Sequence, residues 1–354
     1  MTARFLASAL FLVVLADPAS AQLSANKRIL APFKSVVAKA NESTVRVRCD
    51  DKDASLGTVV FEDGYILTKA SELRNGIISV RFADGTEYEA EVVGRHRGTD
   101  LAMLRVDVKG LKPVKFADTS KARVGHWLAA AGPSSEPVAV GILSAGLRKI
   151  PTDDPFNEES IIVNHNRGYM GIRLDDFKDP TAKDGKSIGA LVTEVTRNTP
   201  ASKAGIKTKD VIVAVNNTKV VSRTSLQEAL EYFRPGESVL VTIQRDGEEK
   251  QLKLTLGPAP VDPSEARSRI QNTMGGELSG RRSGFPAIIQ TDMVIHPTDC
   301  GGPVVDLDGN VLGINIARAG RVETWILPGD HIRPLLEDLR SGKLAPAALS
   351  RSNK

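Results

Sequence analysis

Between residues 44 and 106 strand signals follow one another with no helical pattern between them, and this run constrains the fold more than any other feature of the chain. Residues 44–49 alternate polar and apolar, 56–61 are apolar, and 65–68 follow the turn residues Glu62, Asp63 and Gly64. Residues 77–82 and 88–94 flank an Asp84-Gly85 turn, and 101–106 end the series. Six short strands so closely spaced predict a closed antiparallel barrel, because closure leaves no sheet edge free to pair with another chain. A second group begins at 126–131 and 138–145, stops, and resumes at 287–291, 304–306, 311–317 and 323–327. Counted across the gap these are again about six strands, so the pattern predicts one barrel interrupted by an insert. Residues 27–40 read as an amphipathic helix leading in, and 329–341 as a closing helix with Leu335, Leu336 and Leu339 on one face.

The interrupting stretch has its own order of elements. The loop Arg167-Gly168-Tyr169-Met170-Gly171-Ile172 precedes a strand at 190–195, a helix start at Thr199-Pro200, a strand at 211–215, a helix at 225–232 and a hairpin about Asp246-Gly247. It resembles a bacterial PDZ domain over its full length. That resemblance implies capture of an extended peptide by strand addition, with Tyr169, Met170, Gly171 and Ile172 forming the nest for a C-terminal carboxylate. The helix would flank the groove, Leu226 and Leu230 setting side-chain preference; the plainer reading is that both leucines fill the small domain's core. Its flanks read as linkers, one acidic with two prolines (151–160), the other rich in Pro, Ser, Gly and Arg (258–282) and mobile.

The second half of the interrupted barrel carries Thr298-Asp299-Cys300-Gly301-Gly302-Pro303, then a buried strand, an Asp308-Gly309 turn and another buried strand. This is how a β-protein presents one side chain at the tip of a tight turn. It resembles the segment around the active serine of trypsin-like proteases, most closely the HtrA/Deg family, with Cys300 at the nucleophile position. The resemblance implies a mainly β fold: a trypsin-like double six-stranded β-barrel, here with an inserted α+β PDZ domain. In the usual HtrA arrangement the PDZ domain follows the complete protease domain. The implied domain order is a signal peptide at 1–21, the first barrel and the start of the second at 22–150, and a linker at 151–166. The PDZ domain (167–257), a flexible linker (258–284), the rest of the second barrel with a helix (285–341) and a tail (342–354) follow.

Acyl transfer on this scaffold needs a nucleophile, a base that takes its proton, an acid that orients the base, and donors for the oxyanion. The stretch from Gly64 to Leu73 is similar to the family's base motif, but Ser71 stands where the family has histidine, and a serine hydroxyl is no base near neutral pH. Asp100, in Gly98-Thr99-Asp100-Leu101, matches the third triad position; with no base to orient, it reads as an aspartate bonded to nearby backbone or to Ser71. Cys300 is a better nucleophile than serine when ionised, yet an unassisted thiol titrates near ~8.5, and losing the base of a serine protease costs roughly a million-fold in turnover. Thr298 takes the oxyanion-hole position where the family has glycine, and a β-branched residue resists positive φ. Trp325 fits equally a filled specificity pocket or the core, and His96 and His296 read as surface or loop histidines. The degenerate triad points to a pseudoprotease that binds peptides or unfolded-protein segments. The alternatives are a low-activity endopeptidase using Cys300 and a structural partner of an active relative.

Arg4, the apolar run 5–16 and Pro18-Ala19-Ser20-Ala21 have the form of a secretory signal peptide, so the reading is a periplasmic or secreted protein without a membrane anchor after cleavage. In an oxidising compartment Cys49 and Cys300 raise the possibility of a disulfide, but they lie on segments assigned to different lobes, and Cys49 reads as a small buried strand residue. The five histidines are scattered, which gives no metal site, and no cofactor is expected. The net charge of +4 is spread along the chain, against nucleic-acid binding. The resemblance allows a homotrimer, or a hetero-assembly with an active protease.

Overall fold

The computed structural model describes residues 27–74, 76–151, 168–178, 187–231, 233–258 and 275–345. The leader at 1–21, most of the acidic linker, Arg167, Tyr232 and the end of the tail lie outside these. Two short helices, α1 (Lys27–Leu30) and α2 (Lys34–Asn41), replace the single helix expected over 27–40. Pro32, which lacks an N–H and crowds the preceding turn, divides them with a 3-10 turn at Ala31–Phe33.

The first lobe contains β1 (Thr44–Cys49), β2 (Lys52–Phe61), β3 (Tyr65–Lys69), β4 (Ile78–Arg81), β5 (Glu87–Glu89), β6 (Glu91–His96) and β7 (Leu101–Arg105), paired in the order β5-β4-β1-β2-β3-β7-β6. There are seven strands where six were expected, because 88–94 is bent rather than straight. The chain turns at Ala90, whose N–H donates to the Ile78 carbonyl at 2.8 Å, so β5 pairs with β4 and β6 with β7. The two ends of the sheet are joined through the chain at Ala90 and not by a ladder between β5 and β6, so the closure expected of this lobe is covalent rather than hydrogen-bonded. Val45, Val47, Ile66, Val80, Ala102 and Leu104 fill the interior.

Next come β8 (Trp127–Ala130) and β9 (Ala139–Ile150), then the insert: β10 (Ile172–Lys178), β11 (Ser187–Val195), α3 (Pro200–Ala204), β12 (Val211–Val215), β13 (Thr218–Lys219), α4 (Arg223–Leu230), β14 (Ser238–Arg245) and β15 (Glu248–Thr255). The insert's sheet runs β10-β11-β12-β14-β15, which leaves β10 at an edge. Helix α4 begins with a reciprocal cap between Ser222 and Ser225, which satisfies two N–H groups that a helix start otherwise leaves open.

The chain returns through β16 (Phe285–Thr291), β17 (Pro303–Val305), β18 (Val311–Gly320) and β19 (Glu323–Pro328), and the six strands close a barrel in the order β16-β19-β18-β17-β8-β9. Strands from both sides of the insert therefore build one barrel. The insert's entry and exit meet at its wall: Phe285 pairs with Ile150, and Gly284 N–H donates to the Pro151 carbonyl at 2.9 Å. Helices α5 (Gly329–Ile332) and α6 (Leu336–Arg340) end the fold, split by a 3-10 turn containing Pro334. Leu339 is fully buried, with Leu335 and Leu336 packed partly against the same cluster.

Of the expected flexible linker, 258–284, residues 259–274 lie outside the described ones; at its C-terminal end Leu278, Ser279, Arg281 and Ser283 are buried, which corrects the expectation for that end. Composition signalled a linker because Gly, Ser and Arg carry little apolar area, but the segment is held by hydrogen bonds and charge instead.

Candidate active site

Strand β3 runs into a 3-10 turn at Ala70–Glu72 that buries Ser71, and a second such turn, Arg97–Thr99, delivers Asp100 in a left-handed conformation with φ 59°. The two turns are tied together by Ala70 N–H donating to the Asp100 carbonyl at 2.7 Å. Ser71 then donates twice to the Asp100 carboxylate, from N–H to Oδ1 at 2.9 Å and from its hydroxyl to Oδ2 at 2.7 Å.

Two buried cations complete this cluster, and sequence reasoning found neither. Lys69 is fully buried; its Nζ lies 2.7 Å from Ser71 Oγ, 3.1 Å from Asp100 Oδ2, 3.5 Å from Glu72 Oε1 and 3.3 Å from the Arg281 carbonyl. Arg281 places Nη1 3.7 Å from Asp100 Oδ1 and donates to the carbonyls of Arg97, Gly98 (2.9 Å) and Gly284 (3.1 Å), with its guanidinium over the Phe285 ring. Burial by itself would raise the Asp100 carboxyl, but Lys69, Arg281 and the Ser71 hydroxyl hold it below the usual carboxylate range. Burial likewise works against charge on Lys69, and the carboxylates of Asp100 and Glu72 overcome it, so the amine is held above its ordinary value. An ammonium donates hydrogen bonds and has no lone pair to accept one or to take a proton, so at neutral pH Lys69 is no general base.

Cys300 follows a 3-10 turn at Pro297–Asp299 and is completely buried. Burial pushes its thiol up to about 12, against the pull of Lys69. The side-chain hydrogen bond of Sγ is to Ser279 Oγ, at 3.7 Å. His96 instead bonds Thr99 at 2.8 Å, and His296 is exposed ahead of the turn, so neither ring serves the thiol.

The backbone of the tip is engaged on every side. Leu56 N–H donates to the Cys300 carbonyl at 2.8 Å, Thr58 Oγ1 to the Gly301 carbonyl at 2.8 Å, and Gly301 N–H to the Asn315 carbonyl at 2.7 Å. Arg46 clamps the turn before it, reaching the Thr298 carbonyl at 2.6 Å and Asp299 Oδ1 at 3.0 Å. Cys300 N–H donates to the Pro297 carbonyl at 3.1 Å, so it is bonded within the turn rather than aimed at a developing oxyanion. Thr298, inside that turn, has no positive φ. Trp325 is 8% exposed and packs edge-on to Phe285, which makes it core. Both cysteines are free, and among the described residues no cluster of His, Cys, Asp and Glu could hold a metal.

In the insert, Tyr169 exchanges both backbone bonds with Gly257 (2.8 and 3.0 Å), while the Met170 carbonyl accepts from Ala201 N–H and the Gly171 carbonyl from Thr196 N–H, each at 2.9 Å. The carbonyls of three successive peptides thus face the module's own backbone. In a planar trans peptide the N–H points opposite its carbonyl, so the N–H groups of Met170, Gly171 and Ile172 are turned the other way, as an anion nest requires. Gly171 permits this with φ 86°; a Cβ there would stand 2.2 Å from Thr199. Leu226 is fully buried and Leu230 7% exposed, both within the module's apolar cluster, so Leu226 is core rather than groove wall. The module also touches the cluster just described: Arg234 Nη2 donates to the Ser71 carbonyl at 2.8 Å, and Glu231 pairs with Arg95 at 2.9 Å.

A domain model described as "Trypsin-like peptidase domain" matches residues 55–171, and one described as "PDZ domain" matches 168–256. A "Probable periplasmic serine endoprotease DegP-like" of Ectopseudomonas mendocina is 26% identical over 341 residues, covering 79% of this chain and 70% of that protein. One of the same name from Pseudomonas putida is 29% identical over 290 residues, covering 64% of this chain and only 60% of its own length. A solved structure of the "HtrA-type protease AlgW with decapeptide" is 18% identical, covering 65% of this chain and 99% of that one with a TM-score of 0.30. Among the described residues no helix is long and apolar enough to cross a membrane. With the two domain models matched in succession and DegP-like relatives aligned across most of the chain, the protein joins a trypsin-like peptidase domain to a PDZ domain and is similar to the HtrA/Deg-type family.

Proposed function

We propose that this is an exported HtrA-type protein whose protease domain is inert and whose PDZ module binds the C-terminal ends of peptides or unfolded-protein segments. The observation that carries the first half is the use of Asp100: the acid that would orient a catalytic base is instead bonded by Ser71, Lys69 and Arg281. Nothing in that arrangement accepts a proton from Cys300, and the Cys300 N–H is bonded inside its own turn. Digestion of casein or a peptide reporter by the full chain is expected to match that of Cys300→Ala at background. Cleavage lost in Cys300→Ala would instead establish the cysteine peptidase.

The peptide-binding half is supported by the free edge of β10 and the outward-turned N–H groups of Met170, Gly171 and Ile172. A nest of N–H groups prefers a carboxylate to a neutral amide, because charge-assisted hydrogen bonds are about twice as strong as neutral ones. Peptides selected from a library for binding are therefore expected to lose about tenfold or more in affinity when their C-terminus is amidated, the equivalent of one to two kcal/mol. Equal binding of acid and amide forms would argue for capture elsewhere.

A further inference from the structure

A nucleophile can react only if its substrate can approach it, and in this chain the approach to Cys300 is covered by the chain itself. The segment 275–284 enters from the insert and lies along β18, where Ser279 N–H donates to the Arg318 carbonyl at 2.9 Å and Arg318 N–H donates to Ser279 Oγ at 3.0 Å. The same hydroxyl is the group in contact with Cys300 Sγ. Two residues on, Arg281 is driven into the Asp100 cluster, and Leu278 and Ser283 are buried at either side. The segment therefore touches two of the three triad positions, adding the Ser279 hydroxyl to the barrel side chains that surround a completely buried Cys300.

We propose that residues 275–284 are a built-in occupant of the cleft over Cys300, a strap held beside β18 at Ser279 that keeps other polypeptides from reaching it. The strap is covalently attached, so its effective concentration at the cleft greatly exceeds that of any free peptide. Its anchor is the Arg281 side chain, which reaches the carbonyls of Arg97 and Gly98 outside the strap and faces the Asp100 carboxylate. Ser279 grips its middle, while Lys69 Nζ holds the Arg281 carbonyl, Arg318 Nη2 the Gly275 carbonyl and Gly284 N–H the Pro151 carbonyl. Loss of the Arg281 side chain or of the Ser279 hydroxyl should loosen the strap locally while the barrels stay folded. This sealing is independent of whether the cluster beneath it retains any chemistry.

The test uses the full chain with Cys49→Ala, so that Cys300 is the single thiol. Iodoacetamide labelling is followed by intact mass, together with amide hydrogen exchange across 275–284. In the parent, labelling is expected to be far slower than in the urea-unfolded chain. Arg281→Ala should accelerate labelling on the order of a hundredfold, since it removes one partner of a buried ion pair, and raise exchange in the strap. Ser279→Ala should move both readouts the same way by less, and it carries the comparison should Arg281→Ala not fold. Val47→Ala, which weakens the first lobe's apolar cluster without removing a bond of the strap, should change neither at low denaturant. The proposal is overturned if Cys300 in the parent labels as fast as in urea, if the strap variants leave both rates unchanged, or if Val47→Ala accelerates them equally.

Discussion

Asp100→Asn is expected to destabilise the protein strongly and to change no peptidase activity, the reverse of what the same substitution does where a triad is working. The amide can still accept from Ser71, but it leaves the buried guanidinium of Arg281 without the carboxylate it faces and the buried ammonium of Lys69 with Glu72 alone, 3.5 Å away. Removing one partner of a buried pair costs about 3–5 kcal/mol, which for a domain of this size lowers the melting temperature by roughly 10 °C. The acid side of the stability profile should change with it. A carboxyl held below its unfolded value binds fewer protons when folded, so its contribution is present above the ordinary carboxylate range and disappears as pH falls through that range toward the depressed folded value. Thermal melts from neutral pH down to about pH 3 should show the parent losing stability below about pH 4, with a shallower slope in Asp100→Asn. A variant that melts with the parent would mean the two cations find other partners.

Gly301→Ala should be comparably severe. Gly301 has φ 98°, and a Cβ there would stand 2.0 Å from the Leu56 carbonyl oxygen, which is main chain and part of a β2 strand already paired on both sides. The left-handed conformation costs an L-residue about 1–2 kcal/mol, and forcing backbone apart adds about 1–3 kcal/mol more. Gly309, at the β17–β18 turn, offers the comparison: its φ is 77°, but the nearest atom to an added Cβ is the Val36 carbonyl oxygen at 3.3 Å. Gly309→Ala should therefore show mainly the conformational cost, and urea titration of the two variants should separate them by about 1–3 kcal/mol. Equal losses would show that the tip can relax away from Leu56.

Much of this architecture is legible in the sequence because strands and turns are local. Asp84-Gly85, Asp246-Gly247 and Asp308-Gly309 mark hairpins by the φ their residues tolerate, and alternation marks the strands between them. The errors in regular structure arise where periodicity was carried across an interruption: through Pro32 and Pro334, and through Ala90, where the apolar pattern continues but the strand changes neighbours. At the site, the positions of Ser71, Asp100 and Cys300 were readable from the motifs around them. Lys69 and Arg281 were not. A lysine ending a strand and an arginine amid Gly and Ser both look like solvent-facing residues, and what buries them is an aspartate brought in by a different part of the chain. The partner of a charge is a tertiary fact. So is the fate of 275–284, whose composition is that of a linker and whose conformation is set by β18 and Asp100.

The juncture where Ile150 pairs with Phe285 and Pro151 meets Gly284 also bears on how the molecule is born. During synthesis β8 and β9 emerge from the ribosome as an unfinished hairpin and stay that way until the whole module behind them has been translated. A nascent sheet edge waiting that long is exposed to mispairing. A module that folds promptly on its own would draw its two ends together and shorten the search by which the late strands find the early ones, since the entropy of closing a gap falls as the gap shrinks.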